Sequence, residues 1–397
     1  MADRRYPGLR PTWAEIDLAA VRHNASVLRR TAAPAALCAV VKADAYGHGA
    51  VAVARAALDG GARWLAVALV EEGVTLRQGG IEAPVLVLSE PPADAMGEVV
   101  ARRLVPTLYT GAGVAAAAAA AEAAGTELAV HLKVDTGMHR VGADRADLVG
   151  LATAVAAAPR LRAEGLWSHL AVADRGGPDD ASFTTGQIDR FAAAVAELAA
   201  AGLAPPLLHL ANSAGTLAYP EARLGMVRCG IALYGVAPAP GLAPPAPEAL
   251  APVLSLRSAV SLVRTLGAGE RPSYGRHRPL AQSSVVATIP IGYADGIPRR
   301  SFAGGGTVLI GGRRRPLAGT VTMDQIVVDC GPDPSVAVGD EVVLIGRQGD
   351  QSLTVEDWAA VLGTIGNEVL TEIGGRVPRV VVDTATVPSA AEAQEGT

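Results

Sequence analysis

Apolar residues recur along the first 240 residues in short runs that alternate with helix-like stretches. Runs rich in β-branched residues predict buried strands, and they lie at 36–41, 64–69, 84–88, 104–109, 128–134, 163–170, 207–211 and 226–233. The stretches between them predict helices that end near Gly or Pro, for example 70–78, 111–124, 145–157 and 183–201. Eight such repeats predict an α/β fold, namely a (β/α)8 barrel of the TIM type.

The pattern changes after about residue 238. The segment Ala237–Pro252 is rich in Pro and Ala and is typical of a linker. Short β-type runs and one capped helix near 354–362 follow it, and the runs lie at 253–265, 284–290, 307–310, 325–329, 341–345 and 376–382. We therefore expect a barrel over 1–240, a mostly β domain over 241–388 and a disordered tail over 389–397. A first strand at about 12–18 is a candidate to pair with the second domain.

Composition narrows the class of protein. The net charge is −5, which argues against a nucleic-acid surface. The three cysteines show no CxxC spacing, so we expect reduced core residues of a cytoplasmic protein, with no disulfide framework and no metal site. The alanine run 115–121 is cut short by Glu122 and predicts an ordinary helix, so no membrane span is expected.

One lysine stands at an unusual place. Lys42 ends the buried run 36–41 and is followed by a Gly-containing loop and a helix over about 50–58. Burial lowers the pKa of an amine, which makes it usable as a base or as a nucleophile that forms a Schiff base. A strand-end lysine that extends to solvent is an equally good interpretation of this stretch alone.

Polar residues also cluster where the predicted strands end, which is where barrels of this type carry their active sites. A single histidine among them would more often be a core residue, but five strand ends of this kind favour a site. They carry Lys42, then Lys133 with Asp135 and Met138-His139-Arg140, then Trp167-Ser168-His169, then His209 with Asn212-Ser213, and Arg228 with Gly230.

The last two strand ends suit a phosphate group. Loops after the seventh and eighth strands of such barrels commonly hold phosphate on backbone N–H groups. Asn212–Gly215 and Cys229–Ile231 have the small side chains and the hydroxyl for this task, and Tyr46 could add a phenolic donor. A Schiff-base lysine beside a phosphate site indicates pyridoxal phosphate as cofactor.

Nine motifs in order along nearly the whole chain resemble the alanine racemase family: AVVKADAYGHG, HLKVDTGMHRVG, GLWSHLAVAD, HLANSAGTL, VRCGIALYG, SYG, IPIGYADG, TMDQ and RVPR. The resemblance implies a barrel followed by a β domain and a pyridoxal-phosphate enzyme that interconverts L- and D-alanine. It also implies a head-to-tail homodimer with shared active sites, and a role in supplying D-alanine for peptidoglycan.

The resemblance assigns the catalytic roles as follows. Lys42 would hold the cofactor and act as the base on one face of the substrate, and Tyr274 of the partner subunit would be the base on the other face. Arg228 would face the pyridine nitrogen, and His169 would link Arg228 to that tyrosine by hydrogen bonds.

The remaining roles also come from the resemblance. Arg140 would contact the substrate carboxylate, with a backbone N–H from Met323 of the partner subunit, and Lys133 matches a lysine that many members carry as a carbamate. The other implied site residues are Tyr46, Asn212, Ser213, Gly230 and Ile231 at the cofactor and its phosphate, and Tyr293 and Asp324 at the substrate entrance.

Three positions depart from the family pattern. Gly375 stands where many members have tyrosine, Thr320 where arginine is common and Thr322 where cysteine is common. A racemase of broader specificity for serine or other small amino acids is therefore the main alternative. A fold-related decarboxylase would be expected to use a reactive cysteine near the carboxyl end. It is less well supported because no cysteine follows Cys330. A non-catalytic pyridoxal-phosphate carrier is less well supported because a second domain is present.

Overall fold

The computed structural model describes residues 6–244 and 248–383, which group into two compact units. The barrel unit comprises 20–45, 49–244 and 248–251, and the β unit comprises 6–19, 46–48 and 252–383. The predicted division at residue 240 stays a prediction, and the tail predicted from residue 389 lies outside the described residues. No helix within the described ranges is long and apolar enough to cross a membrane.

The barrel unit is an eight-stranded parallel sheet in the order β8-β7-β6-β5-β4-β3-β2-β9. Its strands are β2 (Ala36–Val40), β3 (Trp64–Val67), β4 (Val85–Val87), β5 (Val105–Leu108), β6 (Leu128–Lys133), β7 (Leu161–Trp167), β8 (Leu207–His209) and β9 (Met226–Cys229). The backbone N–H groups of Gly225 and Arg228 donate to the carbonyls of Leu208 and Ala211, each at 3.0 Å, and so join the last two strands. The predicted TIM-type barrel is confirmed.

Helices separate the barrel strands in the chain, because consecutive parallel strands need a crossover connection. They are α1 (Leu18–Ala32), α3 (Ala50–Asp59), α4 (Val70–Gln78), α5 (Met96–Ala101), α6 (Gly111–Ala124), α7 (Arg145–Ala157), α8 (Pro178–Ala200) and α9 (Ser213–Ala218). The bounds of α4, α6 and α7 are those predicted. Helix α8 begins five residues earlier than predicted, since proline favours the first helical turn.

The β unit contains two sheets. One has the order β14-β13-β16-β10-β1-β18, with β17 on β16: β1 (Thr12–Asp17), β10 (Leu254–Ala259), β13 (Thr307–Ile310), β14 (Arg313–Pro316), β16 (Glu341–Gln348), β17 (Gln351–Leu353) and β18 (Arg379–Val382). The other has the order β11-β12-β15: β11 (Leu262–Leu266), β12 (Ser284–Ile289) and β15 (Ile326–Asp329). The unit also carries α10 (Val355–Leu362) and α11 (Gly366–Glu372).

Some sequence expectations of the fold were wrong in detail. The run 253–265 forms two strands, β10 and β11, and the run 226–233 ends as a strand at Cys229 before a short 3-10 helix, Ile231–Tyr234. Strand β1 lies between β10, with which it pairs antiparallel, and β18, with which it pairs parallel. The first strand of the chain is therefore a central strand of the β unit.

Candidate active site

Lys42 opens a backbone turn of unusual handedness at the carboxyl end of β2. The helical turn α2 (Lys42–Gly47) has φ values of +52°, +51°, +55° and +55° at Ala43, Asp44, Ala45 and Tyr46. Left-handed helix costs roughly 1–2 kcal/mol per residue that has a side chain. Four such residues in succession mean that the backbone is strained directly beside Lys42. Strain of this kind tends to occur at functional sites.

Two carboxylates hold this turn in place. Glu72 accepts a hydrogen bond from the backbone N–H of Ala43 at 2.6 Å, and its other oxygen accepts one from Ala68 at 2.7 Å. Asp44 accepts one from the N–H of Ala50 at 2.7 Å, which ties the turn to the start of α3. These charge-assisted hydrogen bonds offset part of the strain and fix the backbone from which Lys42 extends.

Three basic side chains share the space above β2 and β6. Burial lowers the pKa of Lys42, and Arg140 lowers it further, whereas Glu72 raises it. Lys133 is buried at the end of β6, and burial with the charges of Arg228 and Arg140 lowers its pKa to about 7. Both lysines therefore have a larger neutral fraction than an ordinary lysine, which makes both amines better nucleophiles and bases.

Arg228 is a buried cation surrounded by neutral acceptors. It lies on β9 with 3% exposure and donates to the carbonyls of Ser168 at 2.7 Å and Leu210 at 3.1 Å, and to two histidines. Within the described part of the chain, no carboxylate pairs with it. A buried cation is costly without a partner charge, so this guanidinium is suited to an anionic or electron-rich group at the strand ends.

The histidines beside Arg228 have a defined tautomer. Arg228 donates to Nδ1 of His169 at 3.2 Å and to Nδ1 of His209 at 2.9 Å. Arginine is only a donor, so both Nδ1 atoms are acceptors and the proton of each neutral ring is on Nε2. Burial and the charge of Arg228 hold the pKa of His169 well below its usual value, which keeps this ring neutral.

The indole ring of Trp167 lies beside two cations of the site. The Nζ of Lys133 lies 4.2 Å from the ring centroid, and Cζ of Arg228 lies 4.5 Å from the same centroid. Cation–π attraction of this kind stabilises a desolvated cation. Trp167 thus stabilises the charges of Lys133 and Arg228, an effect that a carboxylate would otherwise provide.

The loops after β8 and β9 meet at Ser213. Its Oγ accepts hydrogen bonds from the backbone N–H groups of Gly230 at 2.9 Å and Ala232 at 3.4 Å. Asn212 caps α9 by accepting from Gly215 at 2.9 Å and donates to the carbonyl of Leu170 at 3.2 Å. Ile231 opens the 3-10 helix at this place, and the first N–H groups of a helix lack intrahelical acceptors.

The other predicted site residues belong to the β unit. Tyr274 is 69% exposed, Met323 51% and Tyr293 42%. Thr320 donates to the carbonyl of Tyr274 at 2.9 Å, and the N–H of Tyr293 donates to the carbonyl of Thr322 at 3.0 Å. These three exposed side chains therefore stand on one connected set of loops.

Glycine permits the close approach between these loops. A Cβ on Gly292 would lie 2.3 Å from the carbonyl oxygen of Thr322. Asp324, on the same loop, is paired with Arg376 at 2.8 Å. Gly375 is exposed, and a Cβ there would meet nothing within 4 Å, so the position has room for a side chain.

The predicted residues thus fall into two groups. Those at the barrel strand ends are in the barrel unit: Lys42, Lys133, Arg140, His169, Asn212, Ser213, Arg228, Gly230 and Ile231. Tyr46, Tyr274, Tyr293, Met323 and Asp324 are in the β unit. Tyr46 is buried, which raises its pKa to about 12, and it bonds to the side chain of Asn367.

Two features of the site were not predicted. His131 lies beneath His209, and the amide of Gln187 on α8 joins two strand-end loops by donating to the carbonyl of His169 at 3.0 Å and to Oγ1 of Thr136 at 3.2 Å. Lys42 and Lys133 were predicted as site residues, and the sequence holds an independent signal for them, because they are the only two lysines of the chain. A search for rare residue types would have singled out both.

Comparison with protein families identifies the chain over both regions. The model of the alanine racemase N-terminal domain matches residues 16–238, and that of the alanine racemase C-terminal domain matches residues 253–381. The alanine racemase of Symbiobacterium thermophilum is 48% identical over 372 residues, covering 94% of this chain and 97% of the relative. That of Frankia casuarinae is 45% identical over 372 residues, covering 92% and 95%.

Solved structures agree with this comparison. Alanine racemase from a D-cycloserine-producing Streptomyces lavendulae superposes with a TM-score of 0.89 at 41% identity, covering 95% of this chain and 98% of that one. The Bacillus anthracis enzyme with bound L-Ala-P gives 0.87 at 35% identity, covering 98% and 100%.

The barrel, the β unit and a lysine-bearing strand end define the class of pyridoxal-phosphate isomerases built on a TIM-type barrel. Within that class, the chain belongs to the alanine racemase family.

Proposed function

We propose that the protein racemises alanine with two bases, Lys42 on one face of the substrate and Tyr274 of the partner subunit on the other. The observation that carries the assignment is the amine of Lys42, whose pKa is lowered by burial and by Arg140, on a strained turn at a barrel strand end. Two bases are required because the proton leaves Cα on one side and returns on the other.

The residues present fit pyridoxal phosphate as cofactor. The fit rests on Arg228, a buried cation without a carboxylate among the described residues, and on the Lys42 amine. Lys42 would hold the aldehyde carbon, Ser213 with the backbone amides of Gly230 and Ile231 would hold the phosphate, and Tyr46 and Asn212 would complete that site. When bound, the cofactor stabilises negative charge at the substrate Cα.

Arg228 would contribute by keeping the pyridine nitrogen of the cofactor unprotonated. A guanidinium keeps its protons at neutral pH and presents only donors, so a ring nitrogen beside it would not be protonated. His169 is neutral with its proton on Nε2, and that N–H is directed away from Arg228. It would donate to the Tyr274 oxygen of the partner subunit, and a hydrogen bond to a phenolate favours the ionised base.

Arg140 and the β-unit loops would bind the substrate. Arg140 is exposed at the loop after β6, where its charge acts on both lysines, and it would pair with the substrate carboxylate. Met323 of the partner subunit would donate its backbone N–H, and Tyr293 and Asp324 would line the entrance. Met323, Tyr293 and Asp324 all belong to the β unit.

The proposed assembly is a head-to-tail homodimer. Tyr274, Tyr293 and Met323 are large apolar side chains exposed on connected loops, and exposed patches of this kind mark interaction surfaces. The three cysteines are free and buried, which supports the proposal of a cytoplasmic enzyme. Its proposed role, by membership of the family, is to supply D-alanine for peptidoglycan.

The test of the reaction is incubation of the purified holoenzyme in D₂O with single L-amino acids, followed by chiral chromatography and mass spectrometry. We expect D-alanine carrying deuterium at Cα as the dominant product. Comparable inversion of serine would favour the broader racemase and assign the change to the open space at Gly375. Loss of carbon dioxide, or no exchange at Cα, would contradict racemisation.

Lys133 is proposed to carry a carbamate. With a pKa of about 7, about half of its amine is neutral at pH 7, against roughly one in 2,500 for an ordinary lysine. Carbon dioxide adds only to the neutral amine, forming a C–N bond while the nitrogen releases one proton to solvent, and the resulting carbamate anion would face Arg140 and Arg228. We expect native mass spectrometry in bicarbonate to show one added carbon dioxide above the pKa and its loss about one unit below it.

The small number of lysines allows the added carbon dioxide to be assigned to one residue. Only two lysines are present, so a Lys133→Met variant removes the adduct without ambiguity. A wild-type mass that is independent of pH over this range would contradict the carbamate.

A further inference from the structure

A second chain of hydrogen bonds leads from Arg228 into the barrel interior. Arg228 donates to Nδ1 of His209 at 2.9 Å, and Nε2 of His209 lies 2.9 Å from Nδ1 of His131. Both histidines are fully buried. On the far side, Nε2 of His131 lies 3.6 Å from Oε2 of Glu164 on β7.

The protonation of this chain is dictated from its arginine end. Arg228 can only donate, so Nδ1 of His209 is an acceptor and the proton of His209 is on Nε2. That proton is donated to Nδ1 of His131, so the proton of His131 must also be on Nε2. Both rings are neutral, because burial lowers the pKa of His131 and that of His209.

With the protons in this order, the Nε2–H of His131 needs an acceptor at the end of the chain of hydrogen bonds, and Glu164 is the group that lies there. Nε2 of His131 has no partner within hydrogen-bond distance, and a buried N–H without an acceptor is costly. The carboxylate of Glu164 attracts this N–H, and the same contact is the main reason that the pKa of Glu164 is lowered. Glu164 is partly exposed and donates nothing in its ionised form.

The backbone makes room for the chain. A Cβ at Gly165, the neighbour of Glu164, would lie 2.6 Å from Nδ1 of His131. Any larger residue there would push the imidazole out of the line between His209 and Glu164. The local sequence Glu164-Gly165 therefore supplies both the acceptor and the space.

We propose that Glu164 is a positioning residue that, through His131 and His209, orients Arg228 toward the cofactor ring. Protons cannot pass along the chain into the site, because Arg228 does not give up a proton at neutral pH. The role of Glu164 is to stabilise the one tautomer pair in which His209 offers a lone pair to Arg228. This inference rests on the proposed role of Arg228, but the tautomers can be tested without it.

The experiment compares three variants of the holoenzyme with wild type after histidine-selective ¹⁵N labelling. Glu164→Leu removes the acceptor, and Glu164→Gln keeps an acceptor oxygen without the charge. Glu127→Gln is the matched control, because Glu127 contacts Arg162 at 3.1 Å just as Glu164 does at 3.2 Å. Long-range ¹H–¹⁵N spectra report which nitrogen of each ring carries the proton, with assignments from His131→Asn.

In wild type, both histidines should show a bare Nδ1 and a protonated Nε2. Without Glu164, the buried N–H of His131 lacks an acceptor, which favours the opposite tautomer pair, in which His209 no longer accepts from Arg228. Glu164→Leu should therefore mix the tautomers and lower kcat about tenfold, with KM for alanine within about twofold, because Arg228 is proposed to face the cofactor rather than the substrate. Glu164→Gln should keep the tautomers and lose less than about threefold in kcat, and Glu127→Gln should match wild type.

Unchanged ¹⁵N signals in Glu164→Leu would overturn the inference, as would an equal loss of kcat in Glu127→Gln. Failure of racemisation itself is a separate result: if wild type does not racemise alanine but the tautomers respond to Glu164→Leu, the proposed function is wrong and the positioning chain stands.

Discussion

Replacing Lys42 with alanine should abolish both racemisation and the covalent retention of pyridoxal phosphate. A general base alone contributes about 10²–10⁴-fold to a rate, and Lys42 is also the proposed attachment point, so we expect at least about 10³-fold loss in both directions. The variant should remain folded, because the Lys42 side chain is only half-buried at the strand end.

The measurement combines activity with borohydride trapping of the bound cofactor. Only Lys42 and Lys133 carry side-chain amines, so a digest with a lysine-specific protease locates the label directly. Lys133→Ala is the matched control and should keep the label at Lys42. A label on Lys133 in wild type, or undiminished turnover in Lys42→Ala, would contradict the assignment.

Replacing Tyr274 with phenylalanine should lower turnover strongly while leaving the cofactor bound. The phenolic oxygen is the proposed second base, so we expect a loss of about 10²–10³-fold. The loss should be visible as unequal solvent-deuterium exchange from the two enantiomers, since Lys42 can still remove the proton on its own face. Circular dichroism and cofactor absorbance check that the fold and the loading are intact.

Mixed dimers then test whether Tyr274 acts across subunits. In a dimer of Lys42→Ala with Tyr274→Phe, shared sites would place both lesions in one site and leave the other intact. Each mixed dimer should therefore regain about half of the wild-type activity. If both bases came from the same subunit, mixing would restore nothing, and that outcome would exclude the shared site.

The barrel was predictable because most of its strands are buried and form continuous apolar runs between helix-like stretches. The strands and helices of the β unit were less predictable from the sequence. Strand β14, with the sequence Arg-Arg-Arg-Pro, carries no apolar run because it is an edge strand. Helix α11 and strand β17 are short, and short elements depend more on tertiary contacts than on local pattern.

Some features of the candidate site could likewise be predicted from the sequence, and others could not. Lys42, Arg228 and His169 could be named from the sequence, since polar residues at apolar strand ends stand out. The handedness of α2 could not, because Ala43, Ala45 and Tyr46 have no preference for positive φ and an aspartate such as Asp44 adopts it only as a single residue. Nor could the chain from Arg228 to Glu164, whose members come from four strands, β6, β7, β8 and β9.

The place of β1 has a consequence for how the chain is made. Thr12 bonds to Ser258, 246 residues later, and β1 is flanked by β10 and β18. A ribosome adds about 5–20 residues per second, so this strand waits roughly 12 to 50 seconds for its first partner. The barrel sequence emerges in full during that interval. Until β10 emerges, the β1 edges are open to the wrong partner, and a chaperone bound to the nascent amino-terminal segment would protect the strand.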